Sequence, residues 1–314
     1  MYVSPTGSAS GSGESWEEAL NLEAALAKVT AGNQLWLLEG TYTPDAELGR
    51  KGSFVIPAGV EVYGGFKGEE TNIYQRQADN YSTLSGEVGK PESTSDNVYT
   101  VVTLQSEGDK VTVIDGLIIT QGNSRNFREG LTDGSAGGGM YIAANEEELS
   151  SHMISNCIFE ANMAHNGGAV LVDTGSPSFV NCVFKGNKAD FNGGAVYNQG
   201  TASMASPIFR DCIFEENSSN SGAGMTNNGT NGEASPLLLG CEFINNTSLM
   251  NGAAIYNISD DEGETQTVIE DCYFVGNDSI LGEDVSDNGV SKAIAVKAKQ
   301  NGGGSLRPVS AVRK

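Results

Sequence analysis

The chain has 314 residues, of which 41 are glycine, about twice the frequency in an average protein. Its 18 basic and 40 acidic side chains give a formal charge of −22 at pH 7. This charge repels phosphate and therefore excludes a nucleic-acid-binding protein. No apolar run reaches the roughly 18 residues of a transmembrane segment, and residues 1–13 lack the basic start and apolar stretch of a signal peptide.

Residues 1–33 are predicted to form an N-terminal cap that contains a short helix. Ser15 and Glu18 have the spacing of a capping box, which predicts a helix running to about Val29. A helix here would cover the first strand, whose unpaired edge would otherwise favour aggregation. The apolar segments that follow indicate strands of early, less regular coils at 34–38, 53–56, 60–63, 99–104 and 111–120.

A repeat of 25 to 31 residues, regular from about residue 137, is marked by five cysteines. A phenylalanine follows each cysteine by two positions and an asparagine follows it by five. Because a two-residue offset places side chains on the same face of a strand, we expect Cys and Phe to point inward. The three sets are Cys157, Cys182, Cys212, Cys241 and Cys272; Phe159, Phe184, Phe214, Phe243 and Phe274; and Asn162, Asn187, Asn217, Asn246 and Asn277.

Two further segments keep a nearly fixed distance from the cysteine. Pro177, Pro207 and Pro236 each precede it by five residues and start a short strand. A small-residue turn after the ladder asparagine precedes a third strand, as in Gly-Gly-Ala-Val at 167–170 and 193–196. Left-handed bends are expected just before the cysteine, at Asn156, Asn181, Asp211 and Asp271.

Three short strands cannot bury a core alone, so each repeat must stack on its neighbours. Parallel stacking, with a rise of about 4.8 Å per coil, predicts an all-β parallel β-helix over residues 34–284 with three strands per coil. This pattern does not favour an α-solenoid, because the apolar side chains recur at two-residue intervals and Asn-Gly turns interrupt the segments. Residues 285–314 are basic, and we expect them to form a last edge strand around 293–298 or a tail.

These motifs resemble a known family. The Phe-x-x-Asn and Gly-Gly-Ala-apolar sequences are similar to the polymorphic outer-membrane protein repeat of chlamydial surface autotransporters and Bacteroidetes surface proteins. Segments 2–7, 40–42 and 63–66 look like the N-terminal part of secreted pectate-lyase-like proteins. The resemblance spans about residues 2–282. It implies a single-stranded, right-handed parallel β-helix, location outside the cell or at the outer membrane, and adhesion or glycan contact.

The cysteines could bind a metal, form disulfides or line the core. Cys-x-x-Cys clusters typical of zinc sites are absent from the sequence, and an odd count leaves at least one thiol free. Cysteines on adjacent coils would place their Cβ atoms about 4.8 Å apart, farther than in a disulfide. We therefore expect an unpaired, buried thiol ladder. For the two histidines we expect structural roles, with His152 at a strand start and His165 in a turn.

Lys185 and Arg210 are the candidates for catalysis. Enzymes of the fold that the resemblance implies cleave acidic polysaccharides with a Lys or Arg base, often together with Ca²⁺. Lys185, however, shares its place in the repeat with Glu160 and Glu215, which predicts charge pairing between neighbouring strands. Arg210 similarly shares its place with Glu270. These pairings favour a structural role for both cations.

A binding face is predicted beside the third strand, where Tyr141, Tyr197 and Tyr256 take the outward position. Aromatic rings on an exposed sheet can stack on sugars or on a protein partner. Tyrosine is also frequent on strands simply because it packs well on a pleated surface. The sequence leaves both interpretations open.

The loops after the third strand leave the coil at one place, so we expect them to stack into one acidic wall. They are 145–148, 173–176, 199–206, 228–235 and 259–264. Asp260, Asp261, Glu262 and Glu264 are weak candidates for Ca²⁺; the alternative is a solvated rim. They lack the spacing of an EF-hand, so the expected affinity is only on the order of 10⁻⁴–10⁻³ M. No other cofactor is predicted.

These patterns favour an exported, surface-associated β-helical protein of adhesin type, which binds a glycan or a host or cell-surface protein without catalysis. The competing hypothesis is a polysaccharide lyase or hydrolase of the pectate-lyase-like superfamily. A Lys or Arg grouped with several carboxylates in one groove would favour the enzyme. A flat, groove-free face would favour binding.

Overall fold

The computed structural model describes residues 1–91, 93–125, 137–142, 151–201, 203–281, 283–288 and 292–300. In this part of the chain the paired strands run parallel and each pairs with a strand of the next coil. The predicted all-β parallel β-helix is confirmed. Sheet A contains Tyr2–Val3, Gln34–Leu38, Gly40–Tyr42, Glu61–Phe66, Ser82–Ser85, Val113–Asp115, Leu117–Thr120, Met153–Ser155, Ile158–Glu160, Ser178–Val180, Val183–Lys185, Ile208–Arg210, Ile213–Glu215, Leu237–Leu239, Glu242–Ile244, Gln266–Val275 and Lys292–Gln300.

Two smaller sheets complete the coils. Sheet B contains Phe54–Ile56, Val102–Leu104, Met140–Ile142, Val170–Val172, Val196–Gln199, Met225–Asn228, Ile255–Ile258 and Val285–Asp287. Sheet C contains Met163–Asn166, Lys188–Asn192, Ser218–Ser219, Thr247–Ser248 and Asp278–Ser279.

Sheet C is a difference from the sequence prediction, which had only three strands per coil. The segment after the ladder asparagine continues as a strand because its backbone pairs with the next coil; the Ser218 N–H donates to the Asn187 carbonyl at 2.9 Å. His165 therefore lies in the strand Met163–Asn166, and its expected place in a turn is wrong.

The bends before the cysteines are confirmed. Their φ angles lie between 51° and 53°, and Gly240 takes the same place in the fourth repeat with a φ of 64°. Asn and Asp tolerate this left-handed region better than other non-glycine residues. The bend joins two successive strands of sheet A, as at Asn181 between Ser178–Val180 and Val183–Lys185.

The five repeat phenylalanines stack in the core. All are buried, and the rings of successive residues are nearly parallel, with interplanar angles of 3° to 7° and centroids 4.5 to 5.0 Å apart. A second stack, Phe179 on Phe209 at 4.8 Å, meets the first edge to face. The pairing register of the coils thus places identical rings in direct contact.

The repeat asparagines form a hydrogen-bonded ladder beside the rings. The Asn217 Oδ1 accepts the backbone N–H and the side-chain Nδ2 of Asn187, at 2.9 and 3.1 Å. The Asn217 Nδ2 donates to the Phe184 carbonyl at 2.8 Å and to the Asn246 Oδ1 at 2.9 Å. The same bonds recur along the ladder, so these buried amides satisfy backbone groups at each turn.

All five cysteines are buried and none forms a disulfide. Their thiols donate to carbonyls of the same and the preceding coil; for example, the Cys212 Sγ lies 3.5 Å from the Phe179 oxygen. Burial raises the pKa of Cys182. The Cys182 thiol is therefore a protonated core group at neutral pH.

The N-terminal helix is shorter than expected. It spans Leu22–Leu26 and is capped by Asn21, whose Oδ1 accepts the Ala24 N–H at 2.8 Å. The predicted start at Ser15 is wrong, because Leu20 is held in an extended pairing with Val3. The other helices are the 3₁₀ segments Ala46–Lys51 and Ile73–Gln75. In the described ranges, no helix is long and apolar enough to cross a membrane.

Candidate binding surface

Lys185 is held in the predicted charge stack on sheet A. It pairs in register with Glu160 on one side and Glu215 on the other. Its Nζ lies 3.2 Å from the Glu215 Oε2 and 3.9 Å from the Glu216 Oε2. The hydrogen bond from Lys185 to Glu215 and the Glu215 charge raise the pKa of Lys185. A general base needs a lowered lysine pKa, so the shift is opposite to that requirement.

Arg210 does not pair with Glu270. Its neighbours in register are Val180 and Leu239, and Glu270 is the partner of Leu239, two coils away. Two coil rises are about 10 Å, beyond the reach of an ion pair. Arg210 forms no ion pair with any residue that the structure describes. The expected pairing is therefore wrong, and Arg210 is an isolated surface cation.

The tyrosine row lies on sheet B but is not an open aromatic face. Tyr197 is only 6% exposed, and its hydroxyl accepts the Asn228 Nδ2 at 2.8 Å. Burial raises the pKa of Tyr197 and also that of Tyr256, which is less buried. The Tyr141 hydroxyl donates to the Asp173 Oδ2 at 2.9 Å. Tyr141 and Tyr256 are half-buried, so only these two retain ring surface for a partner.

The loops of the acidic wall do stack on one another where the structure describes them. Isolated parallel bridges join Gly175 to Ala205 and Glu233 to Glu264. Loop 145–148 lies outside the described residues. The Asp260 Oδ1 accepts backbone N–H groups of Asn231 and Glu262 at 3.0 and 3.2 Å.

The calcium candidates do not converge on one point. Asp261, Glu262 and Glu264 are exposed, and Asp260 is already engaged by backbone donors. Across the described ranges, no three His, Cys, Asp or Glu side chains lie close enough together to hold a metal ion.

His152 is fully buried beside a groove of about 700 Å³ that Ser106 helps to line. Its Nδ1 accepts the Thr112 N–H at 3.3 Å, and its Nε2 lies 3.0 Å from the Ser106 Oγ. A neutral ring that accepts at Nδ1 carries its proton on Nε2, so it donates to Ser106 and cannot take the hydroxyl proton. Burial lowers the pKa of His152 to about 4.

An exposed apolar edge was not anticipated from the sequence. Its members follow the ladder asparagines by three or four residues, where sheet C ends. They are Phe191, Leu249, Met250, Ile280 and Leu281, with exposed fractions of 52%, 63%, 51%, 79% and 60%. We call these five residues the apolar edge. The sequence did contain a signal: in three of the five repeats, large apolar residues stand three or four positions after the ladder asparagine.

A cleft of about 280 Å³ lies on the outer face of sheet C beside the apolar edge. The Asp190 Oδ1 lies 2.6 Å from an Arg125 guanidinium nitrogen, and its Oδ2 lies 3.2 Å from the His165 Nδ1. Arg125 and side chains from three later, successive coils line this sheet C cleft; those of the three coils are Lys188, Asp190, Ser218, Asn220, Thr247 and Leu249.

Stacked coils, a buried Asn ladder and outward-varying side chains define a parallel β-helix built from Phe-x-x-Asn and Gly-Gly-Ala repeats. Residues 181–199 and 240–258 match the family model described as Chlamydia polymorphic membrane protein (Chlamydia_PMP) repeat. The predicted resemblance to this repeat is confirmed. No curated protein matches the chain.

Solved structures of similar fold include two pectin-related enzymes. The crystal structure of pectate lyase Pel9A aligns with a TM-score of 0.54 and 16% identity, over 96% of this chain and 76% of the lyase. The pectin methylesterase from Aspergillus niger aligns with a TM-score of 0.54 and 13% identity, over 96% of this chain and 85% of the esterase. The likeness shows a right-handed parallel β-helix and, at this identity, the fold alone.

Proposed function

We propose that the chain is a surface-associated β-helical binding protein, which binds a glycan or a cell-surface protein at its apolar edge without catalysis. The observation that carries this proposal is the grouping of five large apolar side chains, each more than half exposed, at one corner of the helix. Soluble proteins rarely leave such side chains together in water unless the surface meets a partner.

The family match supports a location at the cell surface, since that family is described as a membrane protein repeat. The state of the cations supports binding over catalysis. Lys185 is paired and its pKa is raised, and Arg210 forms no ion pair with a carboxylate in the part of the chain that the structure describes. The regular interior supports the same view, because the ladders hold the coils rigidly while the outer residues change from coil to coil.

A screen of the whole chain on an array of glycans and purified cell-surface proteins tests this proposal. We expect at least one partner whose affinity falls tenfold or more when Leu249→Ser and Met250→Ser are combined, because both side chains lie on the apolar edge. Tyr74→Ser is the matched control, since Tyr74 is 92% exposed and distant in the fold.

An ultraviolet assay for unsaturated uronate on uronic-acid polymers runs in parallel, because this product identifies a lyase. Formation of the product by the wild type would overturn the binding proposal. A screen in which no partner binds, or in which the edge variant binds as well as the wild type, would also contradict it.

A further inference from the structure

We infer that the sheet C cleft is a subsite for a short oligosaccharide that carries one carboxylate. The inference rests on the proposed binding function and adds the place and the chemical class of the ligand. It starts from the charge of the cleft, which differs from that of the whole protein. Two cations and one carboxylate line it, whereas the chain carries −22.

The two cations have different roles in the cleft. Arg125 is fixed by Asp190 at 2.6 Å, so its charge is largely compensated. Lys188 is exposed and forms no ion pair with any described residue. Lys188 is therefore the cation available to a ligand carboxylate, in a charge-assisted hydrogen bond that is stronger than a neutral one.

The remaining lining suits a sugar. Ser218, Asn220 and Thr247 place hydroxyl and amide groups on two successive coils, about 4.8 Å apart, which is similar to the repeat of hydroxyl groups along a saccharide chain. Leu249, which lines the cleft, supplies apolar surface for the face of a sugar ring. Polar groups beside apolar surface are typical of small-ligand sites.

A peptide fits this face less well. Extended peptides bind to sheets by adding a strand to an open edge. The strand Lys188–Asn192 is already paired with Met163–Asn166 on one side and with Ser218–Ser219 on the other. The backbone groups of sheet C are thus used between coils, and only side chains remain for a ligand.

A dense polyanion fits less well too. Charges on the protein beyond about 8 Å are screened at physiological ionic strength, so a single carboxylate at Lys188 escapes most of the repulsion from the acidic body. A polyuronate would extend over several coils and meet the carboxylates of the body. The ligand class is therefore a largely neutral oligosaccharide with one acidic residue.

Titration calorimetry on the whole chain with three probes tests this: sialyllactose, lactose and polygalacturonate. We expect sialyllactose to bind, lactose to bind about tenfold more weakly and polygalacturonate not to bind. Lys188→Gln should reduce the affinity for sialyllactose to that for lactose and leave lactose unchanged. Thr247→Val should weaken both sugars severalfold. Lys51→Gln, an exposed lysine outside the cleft, should change nothing.

Each outcome separates this inference from the proposed function. Partner binding in the array screen without any binding of sialyllactose would overturn the cleft assignment and leave the binding function standing. Equal affinities for sialyllactose and lactose, or wild-type behaviour of Lys188→Gln, would also overturn it. Failure of both the screen and the titration would contradict the two proposals together.

Discussion

The early coils of residues 34–120 and the regular coils of residues 151–281 hold together in different ways. In the regular coils, the repeat phenylalanines stack on one another from coil to coil, as Phe184 does on Phe214. In the early coils, individual polar contacts add to the strand pairing; Arg76 bonds to Asp115, and Arg50 donates to the carbonyls of Asn97 and Asn123.

This difference explains where the outer surface is free to vary. Identical inner residues make the regular coils structurally equivalent, so their outward positions can change without loss of the fold. The early coils use part of their outer surface for stability: Arg76 is also a cation–π partner of Tyr63 and Phe66. The apolar edge and the sheet C cleft accordingly lie on the regular coils.

The largest expected effect is on the ring stack. Phe214→Ala should lower the free energy of unfolding by about 3–5 kcal/mol, because the adjacent coils cannot close the cavity between Phe184 and Phe243. Val62→Ala, in the mixed core of an early coil, should cost about 2 kcal/mol. Urea denaturation measures both. Equal losses would remove the distinction between the two regions.

His152 lies where the early coils meet the regular ones, and it makes this junction sensitive to pH. Its pKa is about 4 in the folded chain and 6.5 when unfolded, so the unfolded state binds the extra proton between these values. Stability should therefore fall by about 3 kcal/mol as the pH drops from 6.5 to 4. Denaturation at several pH values should show this loss, and His152→Gln should remove about that much of it, leaving the part due to carboxylates. An unchanged slope in the variant would assign the whole loss to other groups.

A smaller loss is expected in the asparagine ladder. Asn217→Ala should cost about 1–3 kcal/mol, because the Asn187 N–H and the Phe184 carbonyl lose buried partners. Ser218→Ala, next in the chain but on the outer face, should stay within about 0.5 kcal/mol of the wild type. Urea midpoints compare the two variants. A result in which Ser218→Ala costs as much as Asn217→Ala would contradict the inward placement of the amide.

The smallest expected effect is a gain in stability. Ala161 has a φ of 54°, at the place where other repeats have Gly186 or Gly276. Ala161→Gly should therefore stabilise the fold by about 0.5–1 kcal/mol. Glycine removes the strain of the left-handed backbone, and part of that gain is offset by the larger conformational entropy of glycine in the unfolded chain. Ala164→Gly, on a buried strand of sheet C, should instead destabilise it. Thermal unfolding distinguishes the two, and a loss in both variants would contradict the strained bend.

The interior was largely predictable from the sequence, and the outer surface was not. A residue type that recurs at the same position of each repeat, such as Phe214 or Asn217, must contact the equivalent residues of the adjacent coils when the coils stack. The N-terminal helix was misplaced because pairing of Leu20 with Val3 competes with the local capping signal of Ser15. Tertiary contacts override local propensity in this way.

Two other features could not be predicted from the sequence. A second amide ladder joins Asn198, Asn227 and Asn257 inside sheet B, with Nδ2 to Oδ1 distances of 2.7 and 2.8 Å. These asparagines occupy the same position in successive repeats. The sequence alone, however, does not distinguish an asparagine whose side chain points into the core from one in a turn. The sheet C cleft brings Arg125 against Asp190, which is 65 positions later, and no repeat pattern relates the two residues.

The central claim is that the regular coils stack in register, since this register places every inner ladder and every outer residue of the binding surface. Mass spectrometry after thiol alkylation tests it most directly. We predict almost no labelling of the native chain, and labelling of all five cysteines once denaturant is added without reductant, because the five thiols are buried and unpaired. Rapid labelling of the native chain, or fewer than five labels after denaturation, would contradict the account.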